Sequence, residues 1–402
     1  MTTPMPDALS AEQVVLTGAR LASAEGVADG LSLVLRHGEI ETVVPTAELT
    51  SNARVIRLDG CTVVPGLIDL HVHGGGGSSF DEPDPEAHRE VLRFHARHGV
   101  TAMQASLVSA KPGDLERRLD ALAVSRQTAG FGAALLGVHL EGPYLAFEQC
   151  GAHDPAALRS PTPSEAQALL ARGGLVTMVT VAPEVDGVAE FVRQLTTAGV
   201  VIAAGHSSAG AADLAVAVSN GLTHLTHLWS CQSTLVRRGP HRVPGLLEES
   251  LASDTLTAEI IADGHHLPAT LIEIARRCLP GRIVAVSDAT AGAGMPDGYH
   301  YRLGVVECEV IGGVGKVIGE DAFAGSVTPL SGMLLHLHRE LGWPLPEAIA
   351  ATSLRPAQVL RLAGRKGRLA PGYDADLAVL DAELSVVATM AGGRWIYSTD
   401  AA

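Results

Sequence analysis

Short stretches in which apolar and polar positions alternate, separated by glycines and polar turns, occupy both ends of the chain. From Val14 to Val64 they read VVLTGARL, LSLVLRHGEIETVV and ARVIRLDG, and near the other end GRLAPGYDADLAVLDAELSVVATMAGGRWIYS repeats the rhythm. A period of two over about five residues predicts antiparallel strands. Neither set is long enough to bury a core by itself. The two ends, 1–64 and 366–402, are therefore predicted to fold together as one small β-sandwich domain around everything between them.

The intervening residues, 65–365, have a different rhythm. Continuous apolar runs at Val63–Leu70, Val100–Ser106, Ala134–Leu140, Leu175–Val181, Val200–Ala204, Leu222–Leu228, Thr257–Ala262 and Ile283–Ser287 alternate with stretches of helical period such as PEAHREVLRFHARHG and AGAADLAVAVSNG. Successive runs start 22 to 41 residues apart, which brackets the roughly 30 residues of a strand–helix–strand unit. Eight such units in series predict an α/β fold, a (β/α)8 barrel of the TIM type. The structural alternative is an open doubly wound sheet, which needs a glycine-rich turn of fixed spacing after an early strand. HGGGGSS follows the first run but lacks that spacing.

Composition narrows the function classes. The 402 residues hold one barrel of about 250 with a small companion. Apolar residues at 47% against 18% charged describe a chain with ample core. With 29 Lys+Arg against 44 Asp+Glu the net charge is −15, so neither nucleic acid nor an anionic membrane is an expected partner. Residues Met1 to Ser10 lack a basic start followed by an apolar run, and no apolar stretch is long enough to span a bilayer. Five dispersed cysteines without a C-x-x-C pair read as reduced thiols, and a cytoplasmic location is expected.

In a barrel the chemical groups sit where strands end. The first run ends in Asp69-Leu70-His71-Val72-His73, where residues two apart share a face and both imidazoles can point at one metal ion. Later edges bring His139 and Glu141, Glu184, His206, His227, Asp263 with His265 and His266, and Asp288, so seven of the eight carry His, Asp or Glu. One such residue is ordinarily a cap or a turn former. A set of them converging on one mouth suits a divalent metal and a water-activating carboxylate. Other histidines read as structural: His88, His95 and His98 on a surface helix, His336 and His338 on another, and His224 facing away from His227. A basic cluster, Arg237, Arg238, His241 and Arg242, follows the sixth run and reads equally as a solvated loop or an anion site.

At this point the motifs VVPGLIDLHVHGGGG, GVHLEGPYL, CGAHDP, VTVAPE, AAGHSSA, THLTHL, IIADGHHL, AVSDATAGAG, FAGSVTPLSGM and LAPGYDADLAVL matter together. Through them nearly the whole chain resembles the amidohydrolase superfamily and, within it, the N-acetylglucosamine-6-phosphate deacetylases. The resemblance implies a metal-bearing barrel with a β-sandwich made from both chain ends. It implies that Glu141, His206 and His227 hold one divalent ion and that His71 and His73 hold a second through Glu141, one or two per subunit, with zinc, iron, manganese and cobalt all open. It gives Asp288 as the catalytic carboxylate, His153 as the group that polarises the amide carbonyl, His266 as a substrate-binding residue, and Arg242 as an arginine that reaches the sugar phosphate of a neighbouring subunit in a homodimer. One departure stands out: where these proteins have N-A-M after T-H-L-x, this chain has Ser230-Cys231-Gln232, so Ser230 and Cys231 occupy substrate-recognising positions in altered form.

The reaction so implied is hydrolysis of the N-acetyl group of an amino-sugar phosphate to acetate and the free amine, as in amino-sugar catabolism or cell-wall recycling. Asp288 would take a proton from water and return it to the leaving amine, while the metal and His153 offset charge on the carbonyl oxygen. The altered 230–245 segment leaves open a different N-acyl amino sugar, or a non-catalytic sugar-phosphate sensor on an enzyme fold. A dihydroorotase-like ring opener is disfavoured because the fourth strand ends in VAPE and the three lysines lie elsewhere. A nucleobase deaminase gives no reason for Glu141 in HLEGP.

Overall fold

The structure, a computed structural model, describes residues 7–9, 12–49, 53–128 and 132–399. Of the start of the chain read above for a leader, residues 1–6 and 10 lie outside the described residues.

All eight apolar runs are strands of one parallel sheet in sequence order: Leu67–Asp69, Val100–Val108, Ala134–Glu141, Val176–Val181, Val201–Ala204, His224–Leu225, Thr257–Ile261 and Ile283–Val286. The second is buried at all of its positions, as expected of a strand covered by helices outside and by the barrel interior inside. The ends of the sheet meet just beyond the strands. Val72 bridges Ala289 in parallel, and the Asp288 amide donates to the His71 carbonyl at 2.9 Å. The Asp69 carboxylate accepts from the Ser287 amide at 3.1 Å and from the His71 amide at 3.4 Å. Burial pushes the Asp69 carboxyl up to about 7. Asp69 in D-x-H-x-H is thus a latch that closes the barrel and sets where the next two histidines leave the strand.

Each strand is followed by a helix packed outside. Helix Val188–Thr197 buries Val188, Phe191, Val192 and Leu195, the one-sided spacing of an amphipathic helix. Thr162 and Glu165 form a reciprocal capping box at the start of Pro163–Leu170. Helix Pro85–Ala96 corrects the sequence reading: His88 and His95 are fully buried rather than at the surface. His88 pairs with Ser125 Oγ at 2.8 Å and the Glu82 carbonyl at 2.6 Å, and His95 Nε2 donates to the Gly74 carbonyl at 2.9 Å. His95 joins the helix to the glycine turn after the first strand, and His88 joins it to the next helix and to the segment leading into it.

The two chain ends meet as expected. Thr62–Pro65 pairs antiparallel with Leu377–Leu380, Val63 opposite Val379, inside a six-stranded sheet. A four-stranded sheet carries Val14–Thr17 and Leu31–Arg36. Leu16, Leu33, Leu35, Val63, Leu377 and Met390 fill one common core. A three-stranded antiparallel sheet, His300–Leu303, Val306–Ile311 and Val314–Val317, follows the eighth barrel strand and was not foreseen from the sequence.

Candidate metal centre and catalytic cleft

A cavity of ≈ 300 Å³ opens where the barrel strands end. His73, Glu141, His153, His206, His227, His266, Asp288, Ser230 and Cys231 all line it, with Trp229, Leu303 and Phe323 as apolar wall. His71 lies immediately behind. Of the site residues that the family resemblance implied, only Arg242 is elsewhere. It sits on the exposed hairpin Val236–Arg238/His241–Val243, where its guanidinium donates to the Pro240 carbonyl at 3.0 Å.

Two trios of ligand atoms share one carboxylate. His71, His73 and Glu141 form the first, Glu141, His206 and His227 the second, and within each the donor atoms lie within 4.8 Å of one another. Glu141 Oε2 faces His73 Nε2 at 3.2 Å and His71 Nε2 at 3.5 Å; Oε1 faces His227 Nε2 at 2.8 Å and His206 Nε2 at 3.0 Å. The strand register explains the first trio, since His71 and His73 lie on one side of the extended segment after Asp69. The second depends on backbone that no pattern encodes. His206, His227 and Asp288 have φ of 49°, 21° and 48°, and this left-handed turn off the strand end aims each side chain into the mouth.

The electrostatics are those of a cation site. Burial alone would make His71 and His73 neutral, but Glu141 and Asp288, with Glu259 acting on His71, outweigh it; His71 is held well above the ordinary histidine range and His73 at about 9. Burial likewise opposes ionisation of Glu141, yet the surrounding imidazoles hold its carboxyl well below the usual range. The cluster therefore gathers positive charge, as protons or as metal. Its donor set fits metal. His71 Nδ1 donates to Glu259 Oε2 at 3.0 Å and His206 Nδ1 to the Gln149 carbonyl at 2.8 Å, which leaves both Nε2 lone pairs directed at Glu141. Nε2 atoms face each other at 3.1 Å in both His71–His73 and His206–His227, a close approach of lone pairs that a shared cation relieves. Two imidazoles and a carboxylate suit a borderline divalent ion.

Beneath the trios lies a polar layer whose central residue, Glu259, the sequence reading missed. Glu259, in the middle of a buried strand, receives His71, His224 Nε2 at 3.3 Å and the His227 amide at 3.2 Å. His224 was expected to face away from His227. It is instead fully buried directly behind the site, because the strand ends at Leu225 and His227 belongs to the turn beyond it. His139 pairs with Ser106 Oγ at 3.0 Å and Thr180 Oγ1 at 2.8 Å, and packs edge-on to His71 at 4.7 Å. Burial lowers His139 to about 3, so it is neutral. A charged residue inside the apolar run TAEIIA was the available signal for Glu259.

The remaining groups face the cavity. Asp288 Oδ1 is 3.3 Å from His73 Nε2 and 3.4 Å from His71 Nε2; against its burial, those imidazoles lower its pKa and keep it a carboxylate. His153 Nδ1 accepts from the Ser109 amide at 3.1 Å. Its proton is therefore on Nε2, which points at Glu141 Oε2 at 3.4 Å, and burial lowers it to about 4, so it is a neutral donor. The loop carrying His153 lies so close that a Cβ on Gly151, φ 56°, would come within 2.7 Å of Cys231 Sγ. His266 Nδ1 donates to Asp263 Oδ2 at 2.7 Å; burial acts to lower its pKa, but Asp263 outweighs this and raises it. Gln232, next to Ser230 and Cys231, staples its own turn, accepting from the Trp229 amide and donating to the Thr226 carbonyl at 2.8 Å. Burial and the neighbouring Cys231 raise the Cys150 thiol, so it is not an activated thiolate.

A family model described as the amidohydrolase family matches residues 62–396. The N-acetylglucosamine-6-phosphate deacetylase of Bos taurus is 37% identical over 355 residues, 85% of each chain. The N-acetylgalactosamine-6-phosphate deacetylase of Escherichia coli O157:H7 is 32% identical over 373 residues, 92% of this chain and 96% of that one. Among solved structures, a mutant N-acetyl-D-glucosamine-6-phosphate deacetylase from Mycobacterium smegmatis in complex with N-acetyl-D-glucosamine-6-phosphate superposes with a TM-score of 0.89 at 34% identity, over 96% of this chain and all of that one.

Proposed function

The chain belongs to the amidohydrolase family, and from that premise we propose that its cleft deacetylates N-acetylglucosamine 6-phosphate, giving glucosamine 6-phosphate and acetate. One observation carries the reading: two His/His/Glu trios joined through Glu141 share a cavity with an ionised Asp288 and a neutral His153.

Divalent ions held by His71, His73 and Glu141 and by Glu141, His206 and His227 would supply an acidified water and a Lewis acid. The chain supplies the proton transfers. Asp288 takes the proton released as water adds to the acetyl carbonyl, and the His153 Nε2–H faces the negative charge that grows on the carbonyl oxygen. Asp288 then gives its proton to the nitrogen as the carbon–nitrogen bond breaks, so acetate and a free amine result. His266 and the Ser230–Cys231 turn hold the sugar against Phe323, whose ring lies 4.7 Å from that of His266.

No Lys or Arg lines the cavity among the described residues. The cleft thus offers the substrate phosphate no permanently charged side chain, which favours a homodimer in which Arg242 of the exposed hairpin reaches the neighbouring site. Cytoplasmic operation is favoured by five free cysteines. A second reading, the galacto epimer as substrate, is supported by the Escherichia coli relative. Acetate release from the gluco and galacto 6-phosphates and from unphosphorylated N-acetylglucosamine tests the proposal. Fastest turnover of the gluco 6-phosphate is expected. Faster turnover of the galacto sugar would move the assignment to it, and no acetate from either phosphate would overturn the deacetylase reading.

A further inference from the structure

Glu259 is fully buried and makes no contact that substrate chemistry would use, yet a single one of its oxygens touches both ligand trios. Oε2 accepts from the imidazole Nδ1–H of His71 in the first and from the backbone amide of His227 in the second. Oε1 is held by His224 Nε2, whose Nδ1 is held in turn by Thr257 Oγ1 at 2.6 Å. Thr257 and Glu259 lie two apart on one face of the seventh strand, so the carboxylate and its support come from the same rigid element.

We propose that Glu259 is a positioning residue that determines whether the first trio retains a metal ion: it acts on that trio through a side chain and on the second only through backbone. The inference rests on the two-ion reading of the cleft. A carboxylate behind His71 fixes the proton on Nδ1, locks the ring with its Nε2 lone pair toward Glu141 and makes that nitrogen a better donor. In the second trio no ligand ring rests on it: His206 is oriented by the Gln149 carbonyl, and His227 touches Glu259 only through its backbone amide. The balance of charge agrees. Two divalent ions bring four positive charges, and Glu259 adds a third buried carboxylate to Glu141 and Asp288 within the same cluster.

The test is the number of zinc ions kept per subunit by the full chain during dialysis against graded chelator. The variants are Glu259→Gln, which keeps size but removes charge, and Glu259→Asp, which keeps charge but shortens the reach. Wild type is expected to release two ions in separate steps. Glu259→Gln should lose one ion at about 10- to 100-fold lower chelator concentration, with the other step unmoved, and Glu259→Asp should fall between. A packing role would reverse that order, since the amide fills the space better, and that order overturns the proposal. His224→Leu, which frees the other carboxylate oxygen, gives a second route should either variant not fold: a smaller loss of the same single ion is expected, and equal loss of both ions overturns the proposal. Release of one ion from wild type would remove the two-ion premise itself and is read before any variant.

Discussion

Asp288 occupies a left-handed backbone position one residue past the closing latch of the barrel, so its carboxylate is fixed by the same contacts that join the first and eighth strands. Replacement by Asn keeps the shape and removes the base. Turnover is expected to fall about 10²- to 10⁴-fold with metal content unchanged, read as acetate release beside elemental analysis; near-normal turnover would remove Asp288 from the chemistry. The position of Asp288 was legible because it closes an apolar run, as were His71, His73, Glu141, His206 and His227. Glu259 and His224 were not legible in that way. They lie within strands, and period two says which residues share a face without saying which face is the barrel interior. A buried Glu beside two histidines becomes intelligible only once His71 is seen across the barrel from it.

At the level of elements, the eight runs predicted eight strands because parallel strands covered on both faces carry nearly unbroken apolar sequence. The 300–317 sheet escaped because its short strands interrupt none of the eight runs and lie between the two terminal segments in which alternation was read. Helix Pro85–Ala96 shows a different limit. Its histidines looked solvent-facing by residue type, but His95 turns inward to the Gly74 carbonyl, where burial lowers it from 6.5 to about 4. The unfolded chain protonates this group first, so its contribution is complete above pH 6.5 and is lost as the pH falls toward 4. The shift is worth on the order of 3 kcal/mol. Denaturant midpoints measured across that window should decline in wild type and decline less in His95→Leu, which starts less stable at pH 7.5 for want of the hydrogen bond. Parallel curves would contradict the assignment.

For the whole molecule, the small domain takes strands from both ends and leaves the barrel mouth to the loops, and Arg242 lies on an exposed hairpin away from the cavity lining. Arg242→Ala should raise KM for the phosphorylated sugar with little change in kcat. Mixing it with Asp288→Asn under conditions of subunit exchange should restore turnover at low substrate, because a mixed dimer holds one site with both groups intact. Exchange without recovery would show that Arg242 does not act across subunits.

The central claim, amide hydrolysis driven by ions in the two trios, is tested most directly by acetate release from N-acetylglucosamine 6-phosphate before chelation, after it and after restoring zinc, iron, manganese or cobalt in turn. Turnover should vanish as the ions leave and return with at least one of them. Undiminished turnover in protein shown by elemental analysis to be free of metal would contradict it.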